Sequence, residues 1–212
     1  MASLVGEIER LVKSDVALEV KGRLLEFESF KNKRGDEWFS ELCFCILTAN
    51  SRADTAIQIQ KELGTKGFCS ACAADVKKCI RKNKHRFHNN KTKFIVGARE
   101  HLGVKKIVQE IVEREGEKAA REWLVKNVKG IGFKEASHFM RNVGYKNLAI
   151  LDRHILNLML ENGLIKKKPV SLNKKKYLEI EEKFRALAKK LKMQPAELDL
   201  YMWFMKTGKV LK

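Results

Sequence analysis

Proline is nearly absent from this chain. Pro169 and Pro195 are the only two in 212 residues, and apolar residues recur at three- and four-residue intervals over most of the length. Few helix breakers and a period near 3.6 favour helices over strands. The expected class is therefore all-α, with helices near 3–30, 36–49, 52–63, 74–82, 90–102, 104–113, 117–128, 133–143, 152–162, 173–192 and 195–206. In the last of these, Pro195 suits the first helical position, and Leu198, Met202 and Met205 form a stripe that ends before Gly208. Only the apolar segment 38–47 admits a buried strand, because a short run does not separate the two periods; its neighbours favour helix. No repeat of fixed period and no Gly/Ser-rich linker is visible, so two lobes woven from one chain are expected rather than separate beads.

Charge narrows the partner. Lys and Arg number 44 against 26 Asp and Glu, a formal charge of +18, far beyond what solubility requires. A polyanion is the natural partner. Membrane phospholipid fits less well, since no apolar run of spanning length occurs, and Glu7, Glu9 and Arg10 stand where a signal peptide would have its apolar centre. An intracellular protein without membrane association is expected. The five cysteines, Cys43, Cys45, Cys69, Cys72 and Cys79, are an odd set read as free thiols. Cys69, Cys72 and Cys79 suggest a metal, but a fourth ligand would have to come from His85 or His88, so no metal is expected.

Two basic clusters stand out. Arg81 to Lys91 sets Phe87 among cations, the arrangement a flipped base or single strand would use, because a base offers a π-face beside its phosphate. Lys166–Lys168 and Lys174–Lys176 contain no aromatic and read as solvated faces.

The chemistry is carried by Val128-Lys129-Gly130-Ile131-Gly132-Phe133-Lys134-Glu135-Ala136, a Gly-X-Gly turn between two helices. The glycines allow a tight turn and close approach, and the following helix offers unpaired N–H groups and a positive dipole end that suit a phosphate. Lys134 lies just inside that helix, where the dipole disfavours a cation and so favours the neutral amine that attack on carbon requires. The competing reading is a lysine that touches a phosphate. Eighteen residues on, Asp152 follows the apolar stretch Leu148–Leu151 and opens a helix, where it would act as N-cap; a cap favours the ionised carboxylate.

Gly130–Ala136 followed by Leu151-Asp152-Arg153-His154 resembles the helix-hairpin-helix, Gly/Pro-rich loop and Asp signature of the endonuclease III superfamily of DNA glycosylases. The strings WFSELCFCILTAN, KGIGFKEASHFMRNVGY, LDRHIL and ELDLYMWFMKTGKVLK resemble the type 2 8-oxoguanine DNA glycosylase/AP lyases of archaea and some bacteria. The resemblance implies two helical subdomains flanking a cleft, one built from 1–35 plus 150–212 and one from 36–149 that carries the hairpin at about 117–143. It implies that Lys134 attacks the sugar C1′ and forms a Schiff base that undergoes β-elimination, while Asp152 assists the departing base. It also implies that the Lys212 carboxylate reads the flipped base between Trp203 and Phe87, that Asn50 enters the duplex, and that Gly130, Gly132 and Arg86 contact DNA. The partner would be duplex DNA containing 8-oxoguanine or an abasic site, bound by a monomer. Endonuclease III carries an iron–sulfur cluster in its C-terminal region, but no cysteine follows Cys79 here, so no cluster and no required cofactor are expected. A monovalent cation held by hairpin carbonyls near 127–132 is implied by analogy. The alternatives are an oxidised-pyrimidine glycosylase/AP lyase and a non-catalytic hairpin module that binds DNA.

Overall fold

The computed structural model describes residues 4–212, so residue 3, where the first helix was expected to begin, lies outside the described residues. Twelve α-helices and two short 3-10 turns make up the regular structure, with no strand among the described residues. The chain divides into two compact units, one from Phe30–Val143 and the other from the chain up to Ser29 together with Gly144–Lys212.

In the Phe30–Val143 unit, α3 (Gly35–Thr48) is the central element, with every residue from Trp38 to Thr48 buried. A helix apolar on all sides belongs inside a bundle, and full burial stabilises each large apolar side chain by roughly 1.5–3 kcal/mol. This is why the segment 38–47 is helix rather than strand: its fourteen residues are covered on every side. Packed around it are α4 (Ala53–Ser70), α6 (His88–Gly97), α7 (Val104–Glu115) and α9 (Phe133–Asn142). Between these run α5 (Ala73–Lys82) and α8 (Glu117–Asn127). Trp38 meets Phe139 edge-on at 6.0 Å, and its indole N–H donates to the Phe30 carbonyl at 2.7 Å. Asn142 Nδ2 donates to Glu41 Oε1 at 2.6 Å and Gln60 Nε2 to Glu41 Oε2 at 3.2 Å, so a buried carboxylate ties α3, α4 and α9 together.

The other unit contains α1 (Leu4–Val12), α2 (Val16–Ser29), α10 (Arg153–Glu161), α11 (Lys174–Lys190) and α12 (Pro195–Thr207), with α12 packing on each of the other four. The extended segment before Asp152 is fixed by α11. Glu181 Oε1 accepts the Ala149 N–H at 3.0 Å, and the Tyr177 hydroxyl donates to the Ala149 carbonyl at 2.7 Å.

Three expectations need correction. The helix expected over 3–30 is two helices, broken at Lys13-Ser14-Asp15, where Ser14 Oγ donates to the Leu11 carbonyl at 2.8 Å and takes that acceptor for a turn. The helix expected to stop at residue 63 resumes to Ser70 after Gly64, whose φ of +59° interrupts it. The divisions expected at 35/36 and 149/150 fall at 29/30 and 143/144 instead. Trp38 binds residues 30 onward to the central helix, while Glu181 and Tyr177 bind residues 144–151 to α11.

Candidate active site

The hairpin consists of α8, the turn Val128–Gly132 and α9. Gly130 has φ +90°, and a Cβ there would lie 2.5 Å from a ring carbon of Phe94 on α6, so positive φ and close approach both require glycine. Gly132 differs from the expectation that both glycines serve the turn. Its backbone is extended, with φ −103° and ψ −173°, and it acts as the N-cap of α9. Its N–H donates to Glu135 Oε2 at 3.2 Å, the backward half of a capping box.

Lys134 is the second residue of α9 and is three-quarters buried, its Nζ 3.8 Å from Glu135 Oε1. A second lysine, which sequence reasoning missed, faces the same pair. Lys91 on α6 is 5% exposed and donates through Nζ to the Ile46 carbonyl at 2.6 Å. Burial pushes Lys91 down to about 8; the Glu135 carboxylate opposes that shift and the Lys134 ammonium adds to it.

Lys91 belongs to a set of groups that complete the end of α3, a helix whose last four carbonyls have no partner within it. Cys45 O accepts from Thr48 Oγ1 at 2.9 Å, Ile46 O from Lys91, Leu47 O from His85 Nε2 at 3.0 Å, and Thr48 O from Ser51 N at 3.1 Å. Asn50 follows in the left-handed region at φ +59°, exposed, with its carbonyl accepting from Arg86 Nη2 at 3.4 Å. His85 Nδ1 accepts the Phe87 N–H at 3.3 Å, so the proton sits on Nε2 and the ring is neutral; burial lowers its pKa. The Arg86 guanidinium stacks on the Phe87 ring, 4.6 Å from its centroid, and Phe87 remains 37% exposed. Asn50, Arg86 and Phe87 therefore form one cluster anchored on α3.

Asp152, in the other unit, caps α10 by accepting the Ile155 N–H on Oδ1 at 2.8 Å. Two residues on, the His154 ring meets Trp203 of α12 edge-on at 5.1 Å. Trp203 is partly exposed, and its indole N–H has no hydrogen-bond partner among the described residues. Beyond α12, Gly208 takes the left-handed cap at φ +67°, Val210 is buried, and Arg23 Nη2 donates to the Val210 carbonyl at 3.4 Å. The chain leading to Lys212 is thus held against α2, and Lys212 is half-buried.

Of the candidate metal ligands, His85 is committed to Leu47 and Phe87, Cys72 Sγ bonds Asp75 Oδ2 at 3.1 Å, and Cys79 Sγ bonds Glu62 Oε2 at 3.6 Å. Burial and the Glu62 carboxylate push the Cys79 thiol up to about 11, away from the thiolate that metals bind. No three His, Cys, Asp or Glu side chains converge on a metal-sized site among the described residues. Hairpin carbonyls are hard oxygen donors suited to a monovalent cation. His101 Nε2 already engages the Asn127 carbonyl at 3.1 Å, so such an ion would draw on residues 128–132. Lys166–Lys168 and Lys174–Lys176 are exposed except for a half-covered Lys176 that pairs with Glu179 at 2.8 Å.

A sequence profile described as 8-oxoguanine DNA glycosylase matches residues 20–193. An 8-oxoguanine DNA glycosylase/AP lyase of Methanocaldococcus jannaschii is 48% identical over 209 residues, 99% of each chain. The M. jannaschii 8-oxoguanine glycosylase/lyase, solved in complex with a 15mer DNA containing 8-oxoguanine, superposes with a TM-score of 0.95 at 47% identity, covering 99% of both chains. The 8-oxoguanine DNA glycosylase of Thermotoga maritima gives 0.92 at 40% identity, covering 99% of this chain and 98% of that one. With a glycine-turn hairpin that opens on Lys134 and a capping Asp152 on the pages above, this chain belongs to the 8-oxoguanine DNA glycosylase family.

Proposed function

We propose that this protein excises 8-oxoguanine from duplex DNA and then cleaves the strand at the abasic site. The observation that carries the reading is the near-complete match, in sequence and fold, to a glycosylase/lyase crystallised on DNA containing that lesion. Lys134 Nζ attacks C1′ of the flipped nucleotide; the N-glycosidic bond breaks, and the base leaves with the bonding electrons and takes up a proton. Opening of the sugar gives a Schiff base on Lys134. Loss of a C2′ proton then expels the 3′-phosphate by β-elimination, and water releases the enzyme. Asp152 assists departure of the base and the proton transfers, its carboxylate stabilising the cationic species.

8-Oxoguanine differs from guanine in a proton on N7 and an oxygen on C8, so discrimination needs an acceptor aimed at N7. The carboxylate of Lys212 fills that role, with Trp203 and Phe87 supplying the faces that replace lost stacking. Asn50 occupies the space the base leaves, and Arg86, Gly130 and Gly132 contact the backbone. The protein works as a monomer, inside the cell, where chromosomal DNA and five free thiols both belong. It needs no iron–sulfur cluster; a monovalent cation at hairpin carbonyls 128–132 would strengthen the grip on phosphate.

Borohydride trapping on duplexes containing 8-oxoguanine, an oxidised pyrimidine or no lesion tests the reading, with Lys134→Gln as control. An adduct confined to the 8-oxoguanine duplex and lost in Lys134→Gln is expected. Trapping on the pyrimidine lesion instead would replace the substrate, and an adduct that survives in Lys134→Gln would remove Lys134 as nucleophile.

A further inference from the structure

Two ammonium groups face one carboxylate at the start of α9. Glu135 uses Oε2 to cap Gly132, while its Oε1 lies 3.8 Å from Lys134 Nζ. Lys91 is the second cation: the two charges it senses are the attractive Glu135 and the repulsive Lys134. The two lysines differ in freedom. Lys91 is 5% exposed and pinned by the Ile46 carbonyl, whereas Lys134 keeps a quarter of its side chain in solvent. A buried lysine is uncommon because desolvation of its charge is costly, and a methionine would fill the same space without that cost. Closing the end of α3 does not require the charge either, since any donor of similar reach would satisfy the Ile46 carbonyl.

We propose that Lys91 is a positioning residue whose fixed ammonium shares the Glu135 carboxylate with Lys134, so that Lys134 is not locked into an ion pair with its neighbour and its amine stays available for attack. This rests on the reading of Lys134 as the nucleophile. Without the Lys91 charge, Glu135 would have Lys134 as its one nearby cation in a largely desolvated setting, where an ion pair holds more firmly than at the surface. The protonated, paired amine would then have to be separated from the carboxylate before each attack.

The test is the single-turnover rate of borohydride-trapped adduct on an 8-oxoguanine duplex. The variants are Lys91→Met, Lys91→Gln, Glu135→Gln, each Lys91 change combined with Glu135→Gln, and Lys134→Gln. Gln at 91 keeps a donor for Ile46, and Gln at 135 keeps the oxygen that caps Gly132. Lys91→Met and Lys91→Gln are both expected to slow adduct formation by on the order of ten-fold, while affinity for a duplex carrying a tetrahydrofuran abasic analogue changes by less than about two-fold. Adding Glu135→Gln to either is expected to restore most of the rate. If Lys91 only closes α3, Lys91→Gln will match the wild type, or the loss in Lys91→Met will persist after Glu135→Gln; either result overturns the proposal. Should Lys91→Met fail to fold, the two Lys91→Gln variants carry the same comparison. An adduct that survives in Lys134→Gln overturns both this inference and the nucleophile it rests on, whereas a Lys134-dependent adduct without rescue by Glu135→Gln overturns this inference alone.

Discussion

Replacing Gly130 by Ala should destabilise the hairpin through two separable effects. The backbone is at φ +90°, where an L-residue is disfavoured by roughly 1–2 kcal/mol. The new Cβ would also lie 2.5, 2.8 and 3.1 Å from three ring carbons of Phe94, and overpacking of that kind costs roughly 1–3 kcal/mol. Phe94 is only partly buried and can yield somewhat, so a total of about 2–4 kcal/mol is expected. In a chain of this length that corresponds to a fall in Tm of roughly 5–15 °C. Gly132→Ala is the internal control, because its backbone is extended and the new Cβ would meet the end of a flexible side chain, Glu135 Oε2, at 3.3 Å. Its cost should be under about 1 kcal/mol, since the lower entropy of the unfolded chain offsets part of it. Urea titration of both variants, and of Gly130→Ala in a Phe94→Ala background, separates the terms. Removing the ring should reduce the cost of Gly130→Ala to about 1–2 kcal/mol, the part due to φ alone. Equal losses for the two glycine variants, or a Gly130→Ala cost unchanged by Phe94→Ala, would refute the reasoning.

Asp152→Ala should lose the bond to the Ile155 N–H and about 1 kcal/mol of stability, whereas Asp152→Asn keeps a capping oxygen and should melt close to the wild type; a loss of strand cleavage in the Asn variant would then report the charge, not the fold. Tyr177→Phe should cost about 1–2 kcal/mol in urea unfolding, because the Ala149 carbonyl loses its 2.7 Å donor in a buried place; an unchanged midpoint would mean that Glu181 alone holds the segment. Lys91 has a folded-state pKa lowered to about 8 from 10.5, so between those values the unfolded chain binds more protons and stability rises with pH. Below pH 8 both states are protonated and the penalty is constant. The Tm of wild type minus that of Lys91→Met should therefore increase from pH 8 toward 10.5, and a flat or falling difference would show that Lys91 is not desolvated.

The amphipathic periods marked most of the helices, because each period is repeated within one helix and needs no knowledge of its neighbours. Where they misled, the cause was local chemistry that hydrophobic spacing does not register, as when Ser14 turns back on Leu11 or Gly64 takes a positive φ inside an otherwise helical run. The capping role of Glu135 was readable, since Glu three residues after a helix cap is a recognised pattern. Lys91 was not: it was taken as the end of a basic, exposed string, and nothing in that string says that its last member turns inward.

By itself the sequence determined the helical class, the strongly basic balance, and the placement of Lys134 in the first turn of a helix that follows two glycines, as well as the capping position of Asp152. These are properties of short windows, set by period, turn chemistry and composition. The burial of Lys91 against Ile46, the ring of Phe94 pressed on Gly130, and the meeting of His154 with Trp203 were decided only by the tertiary structure. Each joins residues from different helices, and such neighbours are chosen by how the helices pack, so no stretch of sequence contains both partners of the contact.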